Sequence, residues 1–144
     1  MQHKMKRQMN VLLVEDNNLD AMMVERAIAR IEPNAIITRA ADGLAALEVI
    51  DADSIPKPYF IMLDVNMPRM NGHEFLKELR ARESVSESMV FMFTTSDSAK
   101  DIAKAYKERV NGYIVKPQGK AGMNSILETI QKYWNTCEPP LNAI

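Results

Sequence analysis

Apolar residues come in five short bursts along this chain, and between them they thin out to the three- and four-residue steps of amphipathic helices. The bursts are Val11-Leu12-Leu13-Val14, Ala35-Ile36-Ile37-Thr38, Tyr59-Phe60-Ile61-Met62-Leu63, Val90-Phe91-Met92-Phe93 and Tyr113-Ile114-Val115. Rich in β-branched and aromatic residues, each predicts a strand. The first, third and fourth are apolar without interruption, the pattern of strands covered by helices on both faces, so they should lie at the centre of a parallel sheet. Helical spacing fills residues 19–31, 43–50, 72–80, 99–109 and 123–134. In the first of these Ala21, Val24, Ala27, Ile28 and Ile31 form the inward stripe and Glu25, Arg26 and Arg30 the outer face, with Met22 and Met23 as core filler or flank.

Punctuation agrees with this register. Asn71 can cap a helix with Glu74 three residues on, Pro33, Pro56, Pro58 and Pro68 fall between elements, and Pro139-Pro140 should end the last helix. Five βα units imply right-handed crossovers and place any ligand site at the carboxyl ends of the strands, near the point where strand order reverses.

Composition narrows the class. A chain of 144 residues with 47% hydrophobic and 26% charged residues suits one packed domain and no disordered tract. A formal net charge of −1 argues against binding nucleic acid or a membrane surface through bulk electrostatics. Lys4, Lys6 and Arg7 resemble the start of an export signal, but the apolar stretch that follows stops at Glu15 and Asp16, and no run approaches the roughly 18 apolar residues of a membrane span. A cytoplasmic protein is expected, with Cys137, the single cysteine, as a free thiol.

The polar residues at the predicted strand ends carry the chemistry. The first strand ends in Glu15-Asp16, the third in Asp64, the fourth in Thr94-Thr95 and the fifth in Lys116-Pro117. If strand order reverses beside the first strand, Glu15, Asp16 and Asp64 meet, and a cation must relieve their repulsion; hard oxygen ligands of this kind suit Mg²⁺. A carboxylate beside a divalent ion, a lysine and a hydroxyl is suited to phosphoryl transfer. Asp64 would be the nucleophile, Lys116 a point charge for phosphoryl oxygens, and the Thr94 hydroxyl a donor to another oxygen. Taken singly, Glu15-Asp16 could merely open a loop and Thr94 could be an ordinary strand end; together, in order, they make a site.

Val11-Leu12-Leu13-Val14-Glu15-Asp16-Asn17, Met62-Leu63-Asp64-Val65-Asn66-Met67-Pro68, Thr94-Thr95-Ser96 and Tyr113-Ile114-Val115-Lys116-Pro117 resemble response-regulator receiver domains, as does Gly72, eight residues after Asp64. The resemblance implies a receiver at 9–136 between tails at 1–8 and 137–144. It also implies a flavodoxin-like (βα)5 doubly wound α/β fold with strand order 2-1-3-4-5. It further implies that a sensor histidine kinase or histidine phosphotransfer protein supplies the phosphoryl group. Mg²⁺ would bind Asp16, Asp64 and the Asn66 backbone carbonyl, with Glu15 contributing through water. Thr94 and Tyr113 would be switch residues, and Asn66 and Ser96 would tune the lifetime of the acyl phosphate. Thr94-Thr95-Ser96, Asp101-Ile102, Ala105-Tyr106 and Tyr133-Trp134 are similar to stand-alone receivers paired with phytochrome-type or other sensor kinases.

Two rival readings start from the same residues. A phosphatase of the haloacid-dehalogenase type would need a second acid where Asn66 stands, and a phosphate-independent scaffold would be expected to have lost an acid or the lysine. Output is expected through contacts with a protein target, without direct DNA or membrane binding. Tyr133 and Trp134 could anchor a homodimer or close the core.

Overall fold

The computed structural model describes residues 7–140, so Lys4 and Lys6 of the charged start and the last four residues of the C-terminal tail lie outside the described residues. Strand and helix alternate: β1 Asn10–Val14, α1 Asn18–Ile31, β2 Ile36–Ala40, α2 Gly43–Asp51, β3 Phe60–Leu63, α3 Gly72–Ala81, β4 Met89–Thr94, α4 Ala99–Lys107, β5 Gly112–Val115 and α5 Lys120–Thr136. A short 3-10 turn, Glu83–Val85, precedes β4. All strand pairs are parallel, in the order β2-β1-β3-β4-β5, which is the flavodoxin-like arrangement. The three uninterrupted apolar runs, β1, β3 and β4, are the three interior strands.

Side chains alternate across a strand, so each interior run feeds two cores at once. Leu12, Val14, Ile61, Leu63, Val90 and Met92 point toward α2, α3 and α4, where Leu47, Phe75, Leu76 and Ala105 meet them. Val11, Leu13, Phe60, Met62, Phe91 and Phe93 point the other way, to Val24 and Ile28 of α1 and Met123, Leu127 and Trp134 of α5. Trp134 is the largest fully buried side chain: its ring lies 5.3 Å from Phe60 and its indole N–H donates to the Gln8 carbonyl at 3.2 Å. It closes the core, so its area is spent inside the chain and the dimer-anchor alternative does not apply to this residue.

Element ends follow local chemistry. Asn17, Asp42, Asn71 and Ser98 cap α1 to α4 with their side chains, and the Asn71–Glu74 capping box forms as the sequence predicts. Most ends fall within one residue of the expected range, and three elements shift further. β2 runs from Ile36 to Ala40, not 35–38, and tolerates Arg39 because this edge strand is only half-covered and the guanidinium donates to the Glu15 carbonyl at 2.9 and 3.1 Å. α4 stops at Lys107, before Arg109 at φ 62°, and α5 starts three residues earlier than its first large apolar side chain, Met123.

Candidate functional site

The backbone ladder delivers each site residue just beyond a strand and continues far enough to hold it. Glu15 N–H donates to the Ala40 carbonyl at 3.0 Å, Asp64 N–H to the Val14 carbonyl at 3.1 Å, and Lys116 N–H to the Thr94 carbonyl at 2.7 Å. The β1–β3 reversal of strand order therefore brings the first-strand and third-strand acids side by side, and oxygens of Glu15, Asp16 and Asp64 all lie within 4.8 Å of one another. Glu15 and Asp64 are buried and Asp16 is exposed, so the cluster opens to solvent on one side.

Lys116 reaches into this cluster from the end of β5. Its ammonium lies 2.7 Å from Glu15 Oε1, 2.9 Å from Asp20 Oδ2 and 3.1 Å from Asp64 Oδ2, and stands 5.9 Å over the Phe93 ring. Burial pulls the ammonium's pKa down, but hydrogen bonds to Glu15 and Asp20 and the field of Asp64 outweigh it and hold the lysine above its usual range. Burial also dominates at Glu15, raising its carboxyl to about 7 against an ordinary 4.5; Lys116 opposes the rise and the Asp64 charge adds to it. Burying a carboxylate costs on the order of several kcal/mol before pairing, and one lysine cannot neutralise all of these acids. Asp64 Oδ1 remains buried without a hydrogen-bond partner. A bare carboxylate oxygen beside two further acids is a donor set that fits a hard divalent cation, held by Glu15, Asp16 and Asp64.

On the far side of Asp64 stand Thr94, fully buried at the end of β4, and the loop that follows it. Ser96 N–H donates to Thr94 Oγ1 at 3.3 Å, and the Tyr113 hydroxyl donates to the Ser96 carbonyl at 2.9 Å. Asn66 is exposed on the β3–α3 loop. That loop is pressed close to the site: a Cβ on Gly72 would sit 2.3 Å from the Asp64 carbonyl oxygen, so only glycine permits the approach.

A scan against protein families matches the response regulator receiver domain over residues 11–128. The chain belongs to the response regulator receiver family. It is 35% identical over 127 residues to the probable methanogenesis regulatory protein FilR2 of Methanothrix harundinacea, covering 86% of this chain and 82% of that one. It is 30% identical over 130 residues to response regulator Rcp1 of Synechocystis sp., covering 86% and 87%. Among solved structures, the phosphorylated cyanobacterial phytochrome response regulator RcpA superposes with a TM-score of 0.84 at 27% identity, covering 93% of this chain and 99% of that one. A Mn²⁺-bound form of a response regulator Rcp1 superposes at 0.81 with 26% identity, covering 93% and 99%. The receiver thus lies close in sequence and structure to phytochrome-associated regulators of two-component signalling.

Of the residues singled out in the sequence, Glu15, Asp16, Asp64 and Lys116 form one cluster, while Thr94, Ser96 and Tyr113 form an adjoining hydrogen-bonded chain. Asp20 escaped sequence reasoning because an acid in the first turn of a helix is ordinary dipole compensation. The only hint was its place in that first turn, directly after the acidic pair. Asp101 enters the sequence reading only through the resemblance to stand-alone receivers, with no role attached, and His73, its partner in the second network, gives no sequence signal. No described helix is long and apolar enough to cross a membrane.

Proposed function

We propose that this receiver accepts a phosphoryl group on Asp64 from a phosphohistidine of a sensor histidine kinase or histidine phosphotransfer protein. Mg²⁺ would be held by Asp16, Asp64 and the Asn66 carbonyl, with Glu15 beside them. The observation that carries this is the buried Asp64 carboxylate, with one oxygen on Lys116 and the other bare, beside Glu15 and Asp16. When bound, the cation neutralises carboxylate and phosphoryl oxygens, the charge problem that dominates phosphoryl transfer. An Asp64 oxygen attacks phosphorus, the P–N bond to the donor imidazole breaks, and the departing imidazole nitrogen takes a proton, leaving an acyl phosphate on Asp64.

Lys116 then has a partner to change: its ammonium can follow the charge from the Asp64 oxygen to a phosphoryl oxygen while Asp20 keeps hold of it. The Thr94 hydroxyl donates to a second phosphoryl oxygen, and because Tyr113 is tied to the same loop through Ser96, its aromatic ring on β5 reports the change at the surface. Phosphorylation adds about −1.5 to −2 of charge, enough to bias a loop with two arrangements. Asn66, exposed on the β3–α3 loop, and Ser96, bonded to Thr94 Oγ1, would tune hydrolysis. Chemistry is confined to the chain's own phosphorylation and dephosphorylation, and output passes to a protein target in the cytoplasm.

We take residues 9–136 as the unit that does this, supported by the buried Met9 at one end and the end of α5 at Thr136 at the other. The test is incubation of purified protein with acetyl phosphate, with and without Mg²⁺, followed by intact-protein mass. Labelling should require Mg²⁺ and vanish in Asp64→Asn while the fold persists; well-folded protein that takes no label would favour a phosphate-independent scaffold.

A further inference from the structure

A polar network outside the acidic cluster joins α3, α4, β5 and the loop after β4, and every polar group of Ser96 is engaged in it. Its N–H donates to Thr94 Oγ1 at 3.3 Å, its hydroxyl donates to Asp101 Oδ2 at 2.6 Å and accepts from Ser98 N–H at 3.4 Å, and its carbonyl accepts from Tyr113 at 2.9 Å. Asp101 anchors the node. Its backbone N–H is capped by the Ser98 hydroxyl at 3.0 Å and its other carboxylate oxygen faces His73 Nε2 on α3 at 3.0 Å. The Ser96 hydroxyl, and then His73, hold the Asp101 carboxyl below the usual carboxylate range, so it remains an ionised acceptor.

The consequence falls on Thr94. A hydroxyl has one proton and two lone-pair sites, and with the Ser96 N–H on a lone pair the Thr94 proton stays free to donate. A loop that drifted would lose that orientation and release Tyr113 as well. We propose that Asp101, braced by His73, is a positioning residue for phosphoryl transfer: it acts through Ser96 to hold Thr94 and Tyr113 in place. This rests on the reading of Asp64 as the acceptor. Misplacement by about 1 Å can slow a reaction as much as 10²-fold, so the effect should be measurable without any change at the metal ligands.

The experiment is a double-mutant cycle on the rate of Mg²⁺-dependent labelling by acetyl phosphate. Asp101→Ala should lower that rate by roughly tenfold. It should leave Mg²⁺ affinity within about twofold of wild type, because no ligand is touched. Asp101→Asn, which keeps an acceptor for Ser96, should recover most of the loss. In a Ser96→Ala background, Asp101→Ala should have little further effect, since the path runs through that hydroxyl; a merely structural role would lower both backgrounds alike, and that outcome overturns the proposal. Backbone and side-chain NMR shifts of the unphosphorylated protein give a second readout independent of labelling. Asp101→Ala should move Thr94 and Tyr113 and leave Asp16 in place, and unmoved Thr94 and Tyr113 signals overturn positioning. If wild-type protein takes no label, it is the acceptor reading that fails, and the NMR comparison still decides the role of Asp101.

Discussion

At the scale of single residues, the site is a crowd of acids around one ammonium. Glu15 is the sharpest case: folded, its carboxyl titrates near 7, while in an unfolded chain it titrates near 4.5. Between those values the folded chain binds more protons than the unfolded one. The stability linked to this group is therefore fully present below about 4.5 and is lost as the pH rises through 7. Metal-free protein should melt at a lower temperature at pH near 8 than near 6, and Glu15→Gln should flatten the slope; a slope that survives the substitution would assign it to another group. Lys116→Met tests the other partner. Removing the ammonium leaves Glu15, Asp20 and Asp64 uncompensated, so Mg²⁺ affinity should rise. The labelling rate should nevertheless fall by about 100-fold, because a preorganised donor to the phosphoryl oxygens is gone. Opposite signs in a titration and a rate assay mark a residue that competes with the metal yet serves the reaction; weaker Mg²⁺ binding would contradict that role.

At the scale of elements, the β3–α3 loop is where packing and chemistry meet. Gly72 N–H donates to the Val65 carbonyl at 2.9 Å, Gly43 N–H to the Met70 carbonyl at 3.1 Å, and Arg69 forks onto Asp42 at 2.6 and 2.9 Å. The loop is thus clamped between α2 and α3, with Asn66 at its exposed tip. Gly72→Ala drives a methyl against the Asp64 carbonyl oxygen and the Val65 Cα, both backbone, so the loop must shift as a whole. A cost of about 1–3 kcal/mol in urea melts is expected, together with a slower labelling rate. Asn71→Ala makes the contrast. It removes the cap of α3 and should cost about 1 kcal/mol while labelling stays near normal, because the capping box does not touch Asp64. Equal loss of labelling in both variants would mean that helix stability, not loop position, limits the chemistry.

At the scale of the whole molecule, one sheet separates two cores, and the site sits on the rim where both are closed. Trp134 seals the α1–α5 side: Arg7 lies 5.0 Å over its ring and also donates to its carbonyl and to that of Cys137, joining the start of the described chain to the end of α5. Trp134→Ala should cost about 3–5 kcal/mol by urea denaturation, as for other large buried side chains. Since Trp134 packs on Gln8 and Phe60 at the amino-terminal edge of the sheet, while the acidic cluster lies at the carboxyl edge, the folded fraction should still bind Mg²⁺. At the same amino-terminal edge of the sheet, Arg80 plays a comparable part, donating to the carbonyls of Ser86, Ser88, Glu108 and Arg109 and so tying α3 to the turns that precede β4 and β5.

The order and type of the elements, the three interior strands and the placement of Glu15, Asp16, Asp64, Thr94 and Lys116 at the carboxyl ends of the strands were all legible in the sequence. They rest on local signals: apolar runs, caps, and polar residues where those runs stop. The end of edge strand β2 was misplaced because half-covered strands carry no strong pattern, and Arg39 is accommodated there by the Glu15 carbonyl just beyond β1, a pairing that the sequence does not display. What only the tertiary structure decided is pairing across distance. Asp20 on Lys116 joins residues 96 positions apart, and His73 on Asp101 joins residues 28 apart. Charged side chains at helix surfaces look alike in one dimension, since each is satisfied by water until the packing of neighbouring elements selects its partner. The sequence by itself determined which groups could do the chemistry; the fold decided which of them touch, because contact depends on the sheet order and helix packing that bring separate segments together.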